Sequence, residues 1–195
     1  MDFGLPTLIE LPDLRAHAAL AAELGLQFVE LNMSFPQYQR EELSPALLNG
    51  LREEYGVYFT VHLDESLDVT SPNRAIARVY REDVLSLLEL AGKAAIPSLN
   101  MHLLRGVYVT LPERRTYVYA ENEERYLSDL RTFREEVTAA APKGTFINVE
   151  NTDGYLPFHL RGLDTLLESP AFGLTYDIGH DHAIRGTDRP VIEKR

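Results

Sequence analysis

The sequence predicts an α/β protein built on a parallel sheet, and three observations predict it. Strand-like and helix-like stretches alternate about six times along the 195 residues. Four of the strand-like runs end on a residue that binds metal or moves protons: Tyr58–His62, Ser98–His102, Phe146–Glu150 and Gly173–Asp177. Such runs read as parallel strands buried on both faces, and in a closed barrel their C-terminal ends converge on one mouth. A complete eight-unit barrel needs about 250 residues, so the expected architecture is a TIM (β/α)8 barrel that is incomplete. It has about six βα units, lacks its last two strands, and forms one domain over residues 1–195. The competing arrangement is an open doubly wound sheet of about six strands. No Gly-x-Gly-x-x-Gly follows a strand, which argues against a dinucleotide site.

The first strand is expected over Gly4–Glu10, followed by an Ala- and Leu-rich helix over Leu14–Leu24. Asp13 is its N-cap candidate and Gly25 its stop. Leu26–Asn32 reads as the second strand, Pro45–Tyr55 as a helix stopped by Gly56, and Val57–His62 as the third strand. In Asn73–Ala91, Ile76, Val79, Tyr80, Val84, Leu87, Leu88 and Ala91 recur at helical spacing. Ser98–Leu103 is the fourth strand. The rhythm then breaks: Val107, Val109 and Leu111 alternate, Pro112–Arg115 reads as a turn, and Tyr117 and Tyr119 resume the alternation. This predicts a small hairpin inserted after the fourth strand. Glu121–Ala141 is a charged amphipathic helix, Thr145–Glu150 the fifth strand, Leu160–Leu167 a short helix and Gly173–Asp177 the sixth strand.

The formal net charge of -11 argues against broad electrostatic binding to nucleic acid or an anionic membrane. The absence of Cys excludes a disulfide framework and a thiolate metal site, leaving His, Asp and Glu as donors. That donor set suits Zn or Mn, with Mg also compatible. No basic segment leads into an apolar one at the N-terminus, and no apolar stretch matches a bilayer span, so a cytoplasmic protein is expected.

Glu150 and Asp177 form the strongest candidate pair. A carboxylate ending a buried strand is costly unless paired or bound to a cation, and two on neighbouring strands repel until a shared divalent ion relieves them. Either could instead cap a turn or pair with an Arg. His62 and His102 occupy equivalent places on the third and fourth strands, and His180 follows Asp177 by three residues, with Gly179 easing the turn. A lone strand-end His serves more often as a structural hydrogen-bonder than as a ligand; the repetition here favours ligation. His182 reads as a surface residue, and His17 and His159 as structural or exposed. Glu30 is expected to satisfy buried backbone or an Arg, with binding of a polar ligand by Glu30 and Asn32 as the alternative. Arg105, Arg114 and Arg115 read as solvated, with contact between Arg105, close to His102, and an anionic group as the alternative. Tyr108, Tyr117 and Tyr119 are expected to pack the hairpin onto the barrel rim.

In order, Val61-His62-Leu63, Asn100-Met101-His102, Val149-Glu150-Asn151-Thr152 and Tyr176-Asp177-Ile178-Gly179-His180 resemble the motifs of the xylose isomerase-like superfamily. The resemblance runs from Phe3 to about His182. That superfamily includes sugar isomerases and epimerases and the endonuclease IV-like AP endonucleases. The endonuclease branch implies His62 and His102 on one zinc, Glu150 bridging, Asp177 on the second zinc and His180 on a third. The sugar branch implies one divalent metal between Glu150 and Asp177, completed from strands seven and eight, with Glu150 as the catalytic proton carrier. The expected function is a divalent-metal-dependent sugar or sugar phosphate isomerase or epimerase, inactive in this truncated form. Its substrate would be a small sugar-like molecule. The alternative is a zinc phosphodiesterase acting on abasic DNA, and a non-enzymatic binding module is the third reading. Self-association through open barrel edges is also expected.

Overall fold

Short strands whose side chains alternate between two environments form the centre of the molecule. The computed structural model describes residues 1–195. Six strands pair in parallel: β1 (Gly4–Pro6), β2 (Phe28–Asn32), β3 (Tyr58–His62), β4 (Ser98–His102), β7 (Phe146–Glu150) and β8 (Phe172–Thr175), adjacent in that order. The sheet does not close, so the outer edges of β1 and β8 have no strand partner. Within it Val29, Leu31, Phe59, Val61, Leu99, Met101, Ile147 and Val149 join helix residues in one cluster of 39 buried apolar side chains. Successive side chains point to opposite faces. Glu30, Asn32, Thr60, His62, Asn100, His102, Asn148 and Glu150 therefore share the inner face. The expectation of runs apolar on both faces is corrected here: the outer face is apolar and the inner face is polar.

A helix lies between each strand of the sheet and the next, with a hairpin preceding it after β4, and local chemistry sets the helix ends. The Asp13 side chain accepts the Ala16 N–H at 2.8 Å to start α1 (Leu14–Glu23). Ser44 accepts the Leu47 N–H at 3.1 Å to start α2 (Pro45–Tyr55), which ends at Gly56 with φ +70°. Asn73 caps α3 (Arg74–Ala94). After β4 the chain forms the antiparallel hairpin β5 (Tyr108–Thr110) and β6 (Arg115–Tyr117), as the alternation predicts. The remaining helices are α4 (Val118–Glu121), α5 (Glu123–Ala140), α6 (Pro157–Leu167), α7 (Ile178–Ala183) and α8 (Arg189–Glu193). Two short 3-10 turns, Pro36–Tyr38 and Arg40–Glu42, lie between β2 and α2. No helix is long and apolar enough to cross a membrane.

Several expectations change. The first strand ends at Pro6 instead of Glu10, because the His17 ring takes the Leu8 N–H at 2.7 Å and turns the chain away from the sheet. His17 is fully buried and structural; its Nδ1 donates to the Asp13 carbonyl at 2.7 Å. The helix expected over Glu121–Ala141 breaks at Asn122, whose backbone leaves the helical region, and Tyr119 lies in α4 rather than in the hairpin. Ile76 and Val79 are exposed; the buried stripe of α3 runs through Ala77, Val84, Leu87, Leu88, Leu90, Ala91 and Ala94. The sixth strand stops at Thr175, and Asp177 caps α7 instead of ending the strand.

Candidate metal centre

β3, β4, β7 and the N-terminal end of α7 bring five side chains together at the C-terminal ends of the strands. The ring nitrogens Nε2 of His62, His102 and His180 lie 3.6, 3.8 and 3.6 Å from Glu150 carboxylate oxygens. Donor atoms of His62, His102 and Glu150 lie within 4.8 Å of one another, and so do those of Glu150, Asp177 and His180. Glu150 belongs to both groups. The Glu150 side chain is 6% exposed and those of His62 and His102 are 12% and 13% exposed, against 42% for His180. The floor of the site is thus closed and His180 stands at its open rim. All five residues expected to converge do so.

Register explains how they meet. His102 pairs with Glu150 across β4 and β7, whereas His62 pairs with Asn100. The two histidines each end a strand but stand one row apart, a correction to their expected equivalence that follows from strand stagger in a barrel. Their rings meet edge to face at 4.9 Å, and His102 meets His180 likewise at 5.8 Å. The His62 Nδ1–H donates to the Leu63 carbonyl at 2.8 Å, which turns Nε2 toward Glu150. The buried Asn100 amide donates to Glu150 Oε2. Asp177 uses Oδ1 to accept the His180 N–H at 2.6 Å, so the two residues are coupled. The fully buried Asn151 holds the Asp177 backbone at both ends, accepting its N–H at 2.8 Å and donating to its C=O at 3.0 Å.

The electrostatics are those of a concentrated acid among imidazoles. Burial opposes the Glu150 charge, but the facing His102 and His62 imidazoles outweigh it and hold the carboxyl well below its usual range. Burial likewise opposes the His62 charge, and Glu150 outweighs that too, raising the imidazole above its ordinary value. Glu30 meets no Arg. Burial raises its carboxyl, helped by the Glu150 charge and opposed by His62, which places it electrically beside the cluster.

The donor set fits a divalent cation. It holds imidazole and carboxylate donors without thiolate, and His102 Nε2 is buried with no hydrogen-bond partner, a cost that ligation would remove. Elsewhere the expected alternatives are settled by contacts. Arg105 donates to the Asp153 and Gly154 carbonyls instead of facing an anion. His182 is exposed, and His159 is buried in α6. Arg115 stacks over the Tyr108 ring at 4.1 Å, and Tyr117 packs near Phe158 at 6.0 Å. Sequence reading quoted Asn100 and Asn151 within motifs but gave them no role. For Asn100 the available signal was the polar alternation Ser98, Asn100, His102 in β4; Asn151, just past β7, had none.

The model of the xylose isomerase-like TIM barrel matches residues 18–195. The chain belongs to this family. Among solved structures it is similar to a D-tagatose 3-epimerase-like protein, with 22% identity and TM-score 0.67 over 92% of this chain and 66% of that one. It is similar to the D-allulose 3-epimerase of Methylomonas sp. in complex with D-allulose, with 20% identity and TM-score 0.63 over 86% of this chain and 57% of that one. It also resembles the 3-keto-D-glucoside 4-epimerase of E. coli, with 14% identity and TM-score 0.69 over 93% of this chain and 70% of that one. At these identities the likeness is one of fold. The chain spans less than two thirds of the length of the first two. No curated protein sequence matches it. The xylose isomerase-like barrel is thus present as six of its parallel strands, unclosed.

Proposed function

We propose that these residues form the metal-binding part of a divalent-metal-dependent sugar or sugar phosphate isomerase or epimerase. The observation that carries the reading is the buried Glu150 carboxyl, with three imidazole nitrogens and Asp177 gathered round it. Glu150, Asp177 and His180 would hold the cation, with His62 and His102 as the neighbouring donor pair. A cation there supplies Lewis acidity toward adjacent hydroxyl and carbonyl oxygens of a sugar. Glu150 is the proton carrier at the sugar carbon: as a carboxylate at neutral pH it can accept, although the shift of its carboxyl below the usual range weakens it as a base. Asn100 fixes the Glu150 oxygen that stays turned into the sheet. The polar inner face beneath, with Asn32, Asn148 and Glu30, suits a hydroxylated substrate of low charge, and the epimerases among the similar structures support that class.

One observation favours a second reading. Glu150 is shared by two donor groups, which is the arrangement two neighbouring zinc ions would use in a phosphodiesterase acting on abasic DNA. The net charge of -11 weighs against it, because phosphate contacts supply affinity in nucleic-acid binders. The sugar branch completes its site from two further strands, so we assign turnover to an eight-stranded form and metal uptake to these 195 residues. The reading also includes self-association through the unpaired edges of β1 and β8. The deciding assay gives an Mn2+-loaded eight-stranded form ketohexoses in one arm and an abasic duplex in the other. Inversion at a hydroxyl-bearing carbon supports the sugar reading; incision without inversion replaces it with the second.

A further inference from the structure

We propose that Asn151 is a positioning residue that sets Asp177 and His180 against Glu150, an inference that rests on the metal reading above. Pairing between β7 and β8 ends at Glu150 and Thr175. Beyond that point no backbone ladder holds the two chains together, yet the candidate ligand Asp177 lies on the unpaired side. The Asn151 side chain takes over there. Its Oδ1 accepts the Asp177 N–H at 2.8 Å and its Nδ2 donates to the Asp177 C=O at 3.0 Å. One amide thus reproduces, on a single residue, the donor and acceptor that another strand residue would have offered. Its orientation is fixed by its partners, since a backbone N–H only donates and a C=O only accepts.

Two features give this clasp a bearing on the site. Asn151 is fully buried, and a buried amide is costly unless both polar ends are bonded. Asp177 meets both needs, so the arrangement has one satisfied state. Asp177 Oδ1 in turn accepts the His180 N–H at 2.6 Å. Fixing the Asp177 backbone therefore fixes two of the three members of the Glu150, Asp177 and His180 group. Asp at position 151 would keep the acceptor and lose the donor; Ala would lose both.

Co2+ binding tests this in the 195-residue chain, through affinity and the visible absorption spectrum of the bound ion. Amide exchange at Asp177 is followed in parallel. Asn151→Ala is expected to weaken Co2+ binding by about 10- to 100-fold, the usual effect of removing a residue that orients a ligand. It should also alter the Co2+ spectrum and speed exchange at Asp177 and His180. Asn151→Asp should keep the Asp177 amide protected while still weakening Co2+, and it serves if the Ala variant does not fold. Asn49→Ala, which removes a remote amide bonded to the Lys93 carbonyl, should leave the Co2+ affinity and spectrum unchanged. Wild-type uptake matched in affinity and spectrum by Asn151→Ala and Asn151→Asp overturns this inference alone. Absence of Co2+ uptake by the wild type overturns the metal reading, and this inference with it.

Discussion

His159 shows how far burial alone moves a single side chain. It is buried in α6, and burial, with the Arg105 charge adding to it, pushes its pKa down to about 4 against a hydrogen bond at Leu104. Unfolded, the ring titrates near pH 6.5. The folded state then stays neutral where the unfolded state gains a proton. Stability is full above about pH 6.5 and falls as pH drops toward about 4, by about 3 kcal/mol from this group. An NMR titration should find the His159 ring signals flat from pH 8 to 5 and moving only below that. A midpoint near 6.5 would contradict the assignment. Reading the sequence as structural or exposed left this open, because burial depends on what packs over α6. The residues at strand ends were more legible: position at the end of a run dictates the mouth of the barrel, whatever the exact register. Asn151 was not legible as a clasp, since its partner lies 26 residues away.

At the level of elements, the chemistry that ends helices is local and was readable. Asp13, Ser44, Asn73 and Gly56 sit where short-range preferences put them. Gly56 offers a clean measure of that preference. Its φ is +70° and a Cβ there would meet nothing within 4 Å, so Gly56→Ala should cost only the left-handed backbone penalty, about 1–2 kcal/mol. Gly162 is the opposite case. A Cβ on this α6 residue would come within 2.7 Å of the Tyr126 hydroxyl and 2.8 Å of Leu130 Cδ1 on α5. Gly162→Ala should destabilise by about 1–3 kcal/mol through overpacking, despite alanine's better helix propensity. Urea unfolding of both variants checks the pair; a stabilised Gly162→Ala would show that α5 and α6 are looser than described. The strand limits were less legible. The end of β1 is set by the His17 ring, a contact that no propensity within Gly4–Glu10 announces.

For the whole molecule, the alternation inside the strands matters more than their apolar character. The outer face builds the core with the helices, and the polar inner face is free to hold the site. The open sheet leaves the edges of β1 and β8 unpaired, with Phe3, Phe146 and Ile178 exposed. Edges of this kind recruit other strands. Sedimentation velocity is expected to show association that grows with concentration, and a single monomer boundary at all concentrations would refute it. Above all, Glu150 and Asp177 are proposed to hold a divalent ion at the converging strand ends. Equilibrium dialysis of the 195-residue chain against Mn2+ tests it most directly. Saturable uptake is expected, weakened at least about tenfold by Glu150→Gln or Asp177→Asn alone and abolished by the two together. Undiminished stoichiometric Mn2+ in the folded double variant would contradict it.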